Sequence, residues 1–233
     1  MNFSAASGQF LCVLGPNGCG KTTLLRLLAG LSIPTAGAIR HRGRPVSGPD
    51  GSRLLMFQQP TLFPWMTVRG NIEFALRARR VARERRRDAV RRCVDLVGLG
   101  GFEESYPHQL SGGMQQRAEL ARALAVGPRL LLMDEPFAAL DALTRLVLQD
   151  ELLRLRASQE TTLVMVTHDV PEAVFLAERI LVMSRRPGRV KRVVTVDRDG
   201  VPPERWRATA AFAGLCGEIT ASLREELDPQ PFR

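Results

Sequence analysis

The chain is poor in sulfur and in aromatic rings. Its four cysteines (Cys12, Cys19, Cys93 and Cys216) are scattered with no CxxC spacing. That excludes a zinc ribbon and a disulfide frame and leaves reduced thiols. The single tyrosine, two tryptophans and ten phenylalanines do not interleave the basic stretches, so no groove for single-stranded nucleic acid is expected. No apolar run approaches the ~18 residues of a membrane span. Met1 to Gly8 lacks a basic region followed by an apolar one, so no secretory signal is read there. Lysine is nearly absent: of 33 basic residues only Lys21 and Lys191 are lysines.

What remains is an ordinary globular composition. The 233 residues are 45% hydrophobic and 24% charged, enough for one sizeable core or two small ones. Wholesale disorder, collagen and coiled coil are excluded. The net charge of +9 is compatible with nucleic acid, an anionic membrane surface or an arginine-rich coding bias. A lysine retained at position 21 of so arginine-biased a chain suits a site wanting a compact ammonium rather than a planar fork.

Apolar runs and turn residues outline an α/β protein. Phe10 to Leu14, Leu54 to Phe57, Leu130 to Met133 and Thr162 to Val166 read as strands. Ile180 to Ser184 and Val190 to Val196 read as strands around a Pro187-Gly188 turn, and Gly37 to Asp50 as short strands with turns. Helices are expected over Thr22 to Leu31, Val68 to Gly98, Ser111 to Ala125, Leu143 to Ala157 and Pro203 to Leu227. In the second, Ala89, Val90, Cys93, Val94 and Val97 mark one apolar face. Leu130 to Val166 then forms a βαβ unit. No internal repeat is visible. The expectation is one domain: an α/β core over about 1–64 and 126–233, with a helical insert over about 65–125.

Gly15-Pro16-Asn17-Gly18-Cys19-Gly20-Lys21-Thr22 matches GxxxxGK[ST], placed after a strand and at the start of a helix. Glycines let backbone N–H groups turn inward around a phosphate chain, and the helix N-terminus adds free donors. Lys21 is expected to hold the β- and γ-phosphates, Thr22 to ligate Mg²⁺, and Thr23 to follow in the same first turn. Cys19 lies inside this loop, so its thiol is expected to be accessible and its alkylation to block nucleotide binding. Leu130 to Met133 ends in Asp134-Glu135. Asp134 can reach the Mg²⁺ shell, and Glu135 can accept a proton from, or orient, the attacking water.

Leu110-Ser111-Gly112-Gly113-Met114-Gln115-Gln116-Arg117 supplies a second anion site at a helix N-terminus. Two anion sites in one chain suggest a nucleotide held between two copies. With these residues in order, the chain resembles the ATP-binding subunit of an ABC transporter. Gly15 to Thr22 resembles Walker A, Gln58 the Q-loop glutamine, Ser111 to Gln115 the signature, Leu130 to Asp134 Walker B, Ala139-Leu140-Asp141 the D-loop and Thr167-His168-Asp169 the switch histidine.

The resemblance implies a P-loop NTPase (RecA-like) core with a small antiparallel β-subdomain and an inserted α-helical subdomain. It implies two chains closing head to tail on ATP and Mg²⁺. Lys21, Thr22, Gln58, Asp134, Glu135 and His168 serve each site from one chain, and Ser111, Gly113 and Asp141 from the other; Gln58 joins the metal ligands. It also implies transmembrane permease subunits, indirectly a periplasmic or extracellular solute-binding protein, and a peripheral place on the cytoplasmic face of the cell membrane. Leu62 to Val68, Glu135 to Ala142 and Val182 to Gly188 resemble the nitrate/sulfonate/taurine group of importers. A C-terminal β-barrel of the kind that maltose, polyamine or iron importers carry is not expected. Competing classes are an ABC-type ATPase in a non-transport role, and a nucleotide-binding-impaired remnant. The family's adenine-stacking aromatic is expected further upstream than the twenty residues that precede Lys21, and Phe3 and Phe10 stand too close to serve. Trp65 is read as an anchoring core aromatic. The nine arginines of Arg77 to Arg92 are read as a solvated helix face, with lipid headgroups as a secondary role.

Overall fold

The computed structural model describes residues 1–158 and 161–227. The elements run β1 (Phe10–Leu14), α1 (Lys21–Ala29), β2 (Arg40–His41), β3 (Arg44–Pro45), β4 (Arg53–Met56), α2 (Val68–Ala78) and α3 (Arg83–Leu96). After a 3-10 turn (Pro107–Gln109) come α4 (Gly112–Val126), β5 (Leu130–Asp134), α5 (Ala142–Ser158), β6 (Thr162–Val166) and α6 (Val170–Leu176). The last are β7 (Arg179–Met183), β8 (Val190–Thr195), α7 (Pro203–Trp206) and α8 (Ala210–Leu227). The chain forms two compact units, Met1–Pro49 with Thr162–Arg233, and Asp50–Thr161.

In the first unit β1 is the central strand. It pairs in parallel with β6 on one side and β7 on the other, and β7 pairs antiparallel with β8. A parallel strand covered on both faces must be apolar at every position. Phe10-Leu-Cys-Val-Leu14 is so, with all five side chains wholly buried. The outer strand β8 buries only Val194. Trp206 of α7 is wholly buried and its indole N–H donates to the Val174 carbonyl at 3.1 Å, satisfying the one polar atom such a ring carries inward. The short β2–β3 ribbon is the small antiparallel element.

In the second unit β4 and β5 pair in parallel, with Met56 opposite Met133. Helices α2, α3 and α4 pack on one another. Val68, Ile72 and Leu76 of α2 recur at helical spacing and are buried, as are Val90 and Val94 of α3. The helix expected over 68–98 is broken. Arg80 turns left-handed (φ 56°), Arg80 N–H bonds Arg77 O, and Val81 N–H bonds Leu76 O, a six-to-one closure without glycine. The C-terminal helix is likewise interrupted, and restarts where the Thr209 hydroxyl accepts the Phe212 N–H at 3.1 Å. Helix α6, absent from the sequence reading, is capped by Asp169, whose carboxylate accepts the Glu172 N–H at 2.9 Å. Among the described residues no helix is long and apolar enough to cross a membrane.

Candidate functional site

In the first unit β1 delivers the chain into the glycine loop, and the loop into α1. Gly18 (φ 74°) and Gly20 (φ 105°) adopt left-handed conformations that a side chain would strain. Gly20 is the N-cap of α1 and no side chain caps that helix, so its first-turn N–H groups face the loop as an anion site. The Lys21 ammonium is buried with its residue at 8% exposure, and donates to Gly15 O at 2.8 Å and Pro16 O at 3.1 Å. The loop carbonyls thus hold a cation over the turn, the charge a phosphate chain needs. Asn17, Thr22 and Thr23 stand exposed on its rim, and Pro16 is half-buried.

Cys19 departs from expectation. It is 4% exposed, with its sulfur turned inward beside Gly15, where Met183 of β7 also lies. The loop folds its thiol against β7 instead of offering it to solvent, so ready alkylation is not expected.

His168 follows β6, whose register sets Val166 opposite Val13 of β1. It is exposed, at the same carboxyl ends of parallel strands as the phosphate loop. The Thr167 hydroxyl donates to buried Glu172 at 2.5 Å and accepts the Asp169 N–H at 3.1 Å, which fixes the turn carrying the imidazole.

In the second unit β4 and β5 set Gln58 beside Glu135. The Gln58 amide donates to the Glu135 carboxylate at 3.1 Å. Asp134 is 4% exposed at the end of β5. Glu135 is half-buried with φ 49°, a left-handed backbone in a residue other than glycine. Such strain costs on the order of 1 kcal/mol and gathers at functional turns.

The signature residues open α4. The Ser111 hydroxyl accepts the Met114 N–H at 3.3 Å, as a cap should. Ser111 and Gly112 are exposed, and a side chain on Gly113 would meet the Ala139 carbonyl at 3.0 Å. The signature turn therefore rests on the loop that carries Asp141. Asp141 is exposed, and its carboxylate accepts the Thr144 N–H at 3.0 Å; that bond holds its carboxyl below the usual range. Gln115 is turned back, donating to Pro107 O at 2.9 Å and Leu110 O at 3.3 Å, where it braces the preceding turn.

Two features escaped the sequence. Glu119, 2% exposed on α4, accepts the Thr61 N–H at 3.0 Å, the Thr61 hydroxyl at 2.7 Å and Arg122 at 3.1 Å. Arg122 donates in turn to Thr61 O and Oγ1, both at 2.9 Å, and its guanidinium lies 5.7 Å from the Phe63 ring centre. Burial pushes the Glu119 carboxyl up and the Arg122 guanidinium down, and their pairing offsets each shift in part. The only sequence signal was a carboxylate on the buried face of α4. The second feature is Trp65, which is 68% exposed rather than in the core. It lies 5.6 Å from Phe63, which meets Phe74 edge-on at 4.7 Å, so a partly exposed aromatic cluster stands near the start of α2.

Residues 1–138 match the ABC transporter family. An uncharacterized ABC transporter ATP-binding protein of Methanocaldococcus jannaschii is 49% identical over 97% of this chain and 84% of its own. A nitrate import ATP-binding protein of Synechocystis sp. is 46% identical over 86% of this chain and 75% of its own. A taurine import ATP-binding protein of Yersinia pestis is 50% identical over 82% and 74%. Two solved dimeric ABC cassettes, one bound to ADP and phosphate, superpose with TM-scores of 0.76 and 0.75 at 32% identity, covering 84% of this chain and 89% of theirs. The chain belongs to the ABC transporter ATP-binding family, with its α/β P-loop NTPase fold, and is an ATPase.

Proposed function

We propose that the chain is the ATP-hydrolysing subunit of an importer for a small solute of the nitrate, sulfonate or taurine kind. The observation that carries the ATP site is the Lys21 ammonium, buried and held by two loop carbonyls at the start of an uncapped helix. The importer group rests on the nitrate and taurine import relatives.

In this reading Gly15 to Gly20 wrap the phosphates with backbone N–H groups, Lys21 neutralises the β- and γ-phosphates, and Thr22 and Thr23 line the first turn. Thr22, Asp134 and Gln58 have the hard oxygen donors that suit Mg²⁺, which when bound screens phosphate charge. Glu135 takes a proton from, or orients, the attacking water, with Gln58 holding the carboxylate. His168 contacts the γ-phosphate. Ser111 to Gly113 and Asp141 complete the site of a second copy, head to tail, as the dimeric cassettes support, while Gln115, expected among the nucleotide contacts, is turned back onto Pro107 O and Leu110 O and holds the signature turn instead. The core covers about 1–64 and 126–233, and about 65–125 forms the signature subdomain. Closure pulls on permease subunits at the cytoplasmic face of the cell membrane, with residues 58–74 bordering the docking groove. A solute-binding protein feeds the permease from outside.

The test is size exclusion of Glu135→Gln with and without ATP. The substitution keeps the side chain's shape and removes the proton acceptor, so ATP should convert monomer to dimer. A monomer under saturating ATP would refute the sandwich.

A further inference from the structure

The turn between β7 and β8, Ser184 to Arg189, has no part in the reading above. We infer that Arg186 in this turn is a positioning residue for the phosphate loop; the inference rests on the reading of Gly15 to Thr22 as the phosphate site. The Arg186 Nε donates to Gly18 O at 2.8 Å. Gly188 lies directly against the Cys19 carbonyl oxygen, so close that a Cβ there would collide with it. The carbonyls of two successive loop peptides thus face the turn.

A trans peptide directs its carbonyl and the following N–H to opposite sides. Holding Gly18 O and Cys19 O on the turn's side therefore sends the N–H groups of Cys19 and Gly20 to the other side. The Cys19 N–H points back across the loop at Pro16 O, 3.3 Å away, a long bond that a phosphate oxygen can replace. The loop between them contains two left-handed glycines and would otherwise sample many shapes. Arg186 and Gly188 select the shape with its donors aimed at the anion, so less ordering is left for binding.

The turn is anchored in its own right. The Ser184 hydroxyl accepts the Arg189 N–H at 3.0 Å and lies 3.2 Å from Pro187 O. Glu226 of α8 accepts the Arg185 N–H at 2.9 Å and pairs with Lys191 at 2.9 Å. A continuous brace runs from the end of α8 through the turn to the phosphate loop.

The probe is tripolyphosphate, a phosphate chain without base or ribose, measured by calorimetry beside ATP. Arg186→Met should weaken both by the same factor, about threefold to tenfold for one hydrogen bond, with the nucleotide-free melting temperature unchanged. Arg186→Lys, which retains a donor, should bind like the wild type. Gly188→Val should weaken both ligands further. In the nucleotide-free protein the Cys19 and Gly20 amide NMR signals should move in Arg186→Met and return in Arg186→Lys. Wild-type binding by Arg186→Met, a loss confined to ATP, or unmoved amide signals would overturn the inference. Lys21→Ala separates the two readings. If it binds tripolyphosphate as the wild type does, the phosphate site is wrongly placed and the inference falls with it. If Lys21→Ala loses binding while Arg186→Met keeps it, only the positioning role falls.

Discussion

Removing Arg122 should destabilise the protein mainly through what it leaves behind. Glu119 is 2% exposed, and without Arg122 its charge keeps only the two Thr61 donors. Breaking a buried pair from one side costs about 3–5 kcal/mol. The remaining Thr61 bonds place Arg122→Met at the lower end, about 3 kcal/mol, or a fall of about 6–12 °C in Tm for a chain of this size. Glu119→Gln with Arg122→Met should be more stable than Arg122→Met alone, because a neutral amide can accept from the Thr61 N–H and donate to its hydroxyl. The sign of the pH dependence follows from burial. The Glu119 carboxyl already lies above its ordinary value, and losing Arg122 removes a cation that lowers it. An acid raised in the folded state binds more protons there than when unfolded. The charge part of the deficit is therefore full above the folded value and vanishes below the unfolded one, about 4.3. Differential scanning calorimetry should show the Arg122→Met deficit shrinking as the pH is lowered towards the unfolded value, while the double variant's does not. A pH-independent deficit, or a double variant less stable than Arg122→Met, would refute the account.

Gln58→Ala should lower the ATPase kcat by on the order of a hundredfold while changing ATP affinity less than about twofold, because in the proposed mechanism it frees the carboxylate that acts on water; steady-state rates and fluorescent-nucleotide titration report the two. Burial pushes the Cys93 thiol up to about 11, so its alkylation by iodoacetamide should rise about tenfold per pH unit towards that value. Mass spectrometry of the same samples should find Cys19 unlabelled in the folded chain, and rapid labelling at neutral pH would contradict its inward placement. Trp65→Ala should reduce co-purification with the permease subunits while changing stability by less than about 0.5 kcal/mol, since the ring is mostly exposed; unchanged co-purification would remove this cluster from the docking groove.

The strands were readable because parallel-sheet strands advertise themselves: Phe10 to Leu14 and Leu130 to Met133 are unbroken apolar runs, as burial on both faces requires. Ser111 as a cap was readable because a hydroxyl before a helix has one local use. The break at Arg80 was not, because an arginine carries no sign of a left-handed backbone. Helix α6 has a local signal in the Asp169 cap and Pro171, but its 7 residues are almost all buried, so no apolar period marks it as a helix. Trp65 and Cys19 were misjudged for one reason: their exposure depends on what lies opposite in space, and neither periodicity nor motif spacing records that. The Thr61–Glu119 contact joins residues 58 positions apart, beyond any local pattern.

That long-range contact alters what α4 is for. At its N-terminus Gly113 rests on Ala139, next to Asp141. Two turns on, Glu119 and Arg122 grip Thr61, three residues beyond Gln58, which in turn holds Glu135. In the proposed sandwich, Ser111 and Asp141 serve one nucleotide, while Gln58 and Glu135 serve the other. Helix α4 thus ties both sets together within one unit through buried, directional bonds rather than apolar contact alone. Apolar contacts tolerate sliding, whereas a buried carboxylate with three donors does not, since any shift strands a charge away from water. Glu119 is thus the bonded link, within this unit, between the helix that the signature opens and the segment that carries Gln58. A buried ion pair placed where leucine would pack more cheaply fixes the register of α4 against Thr61.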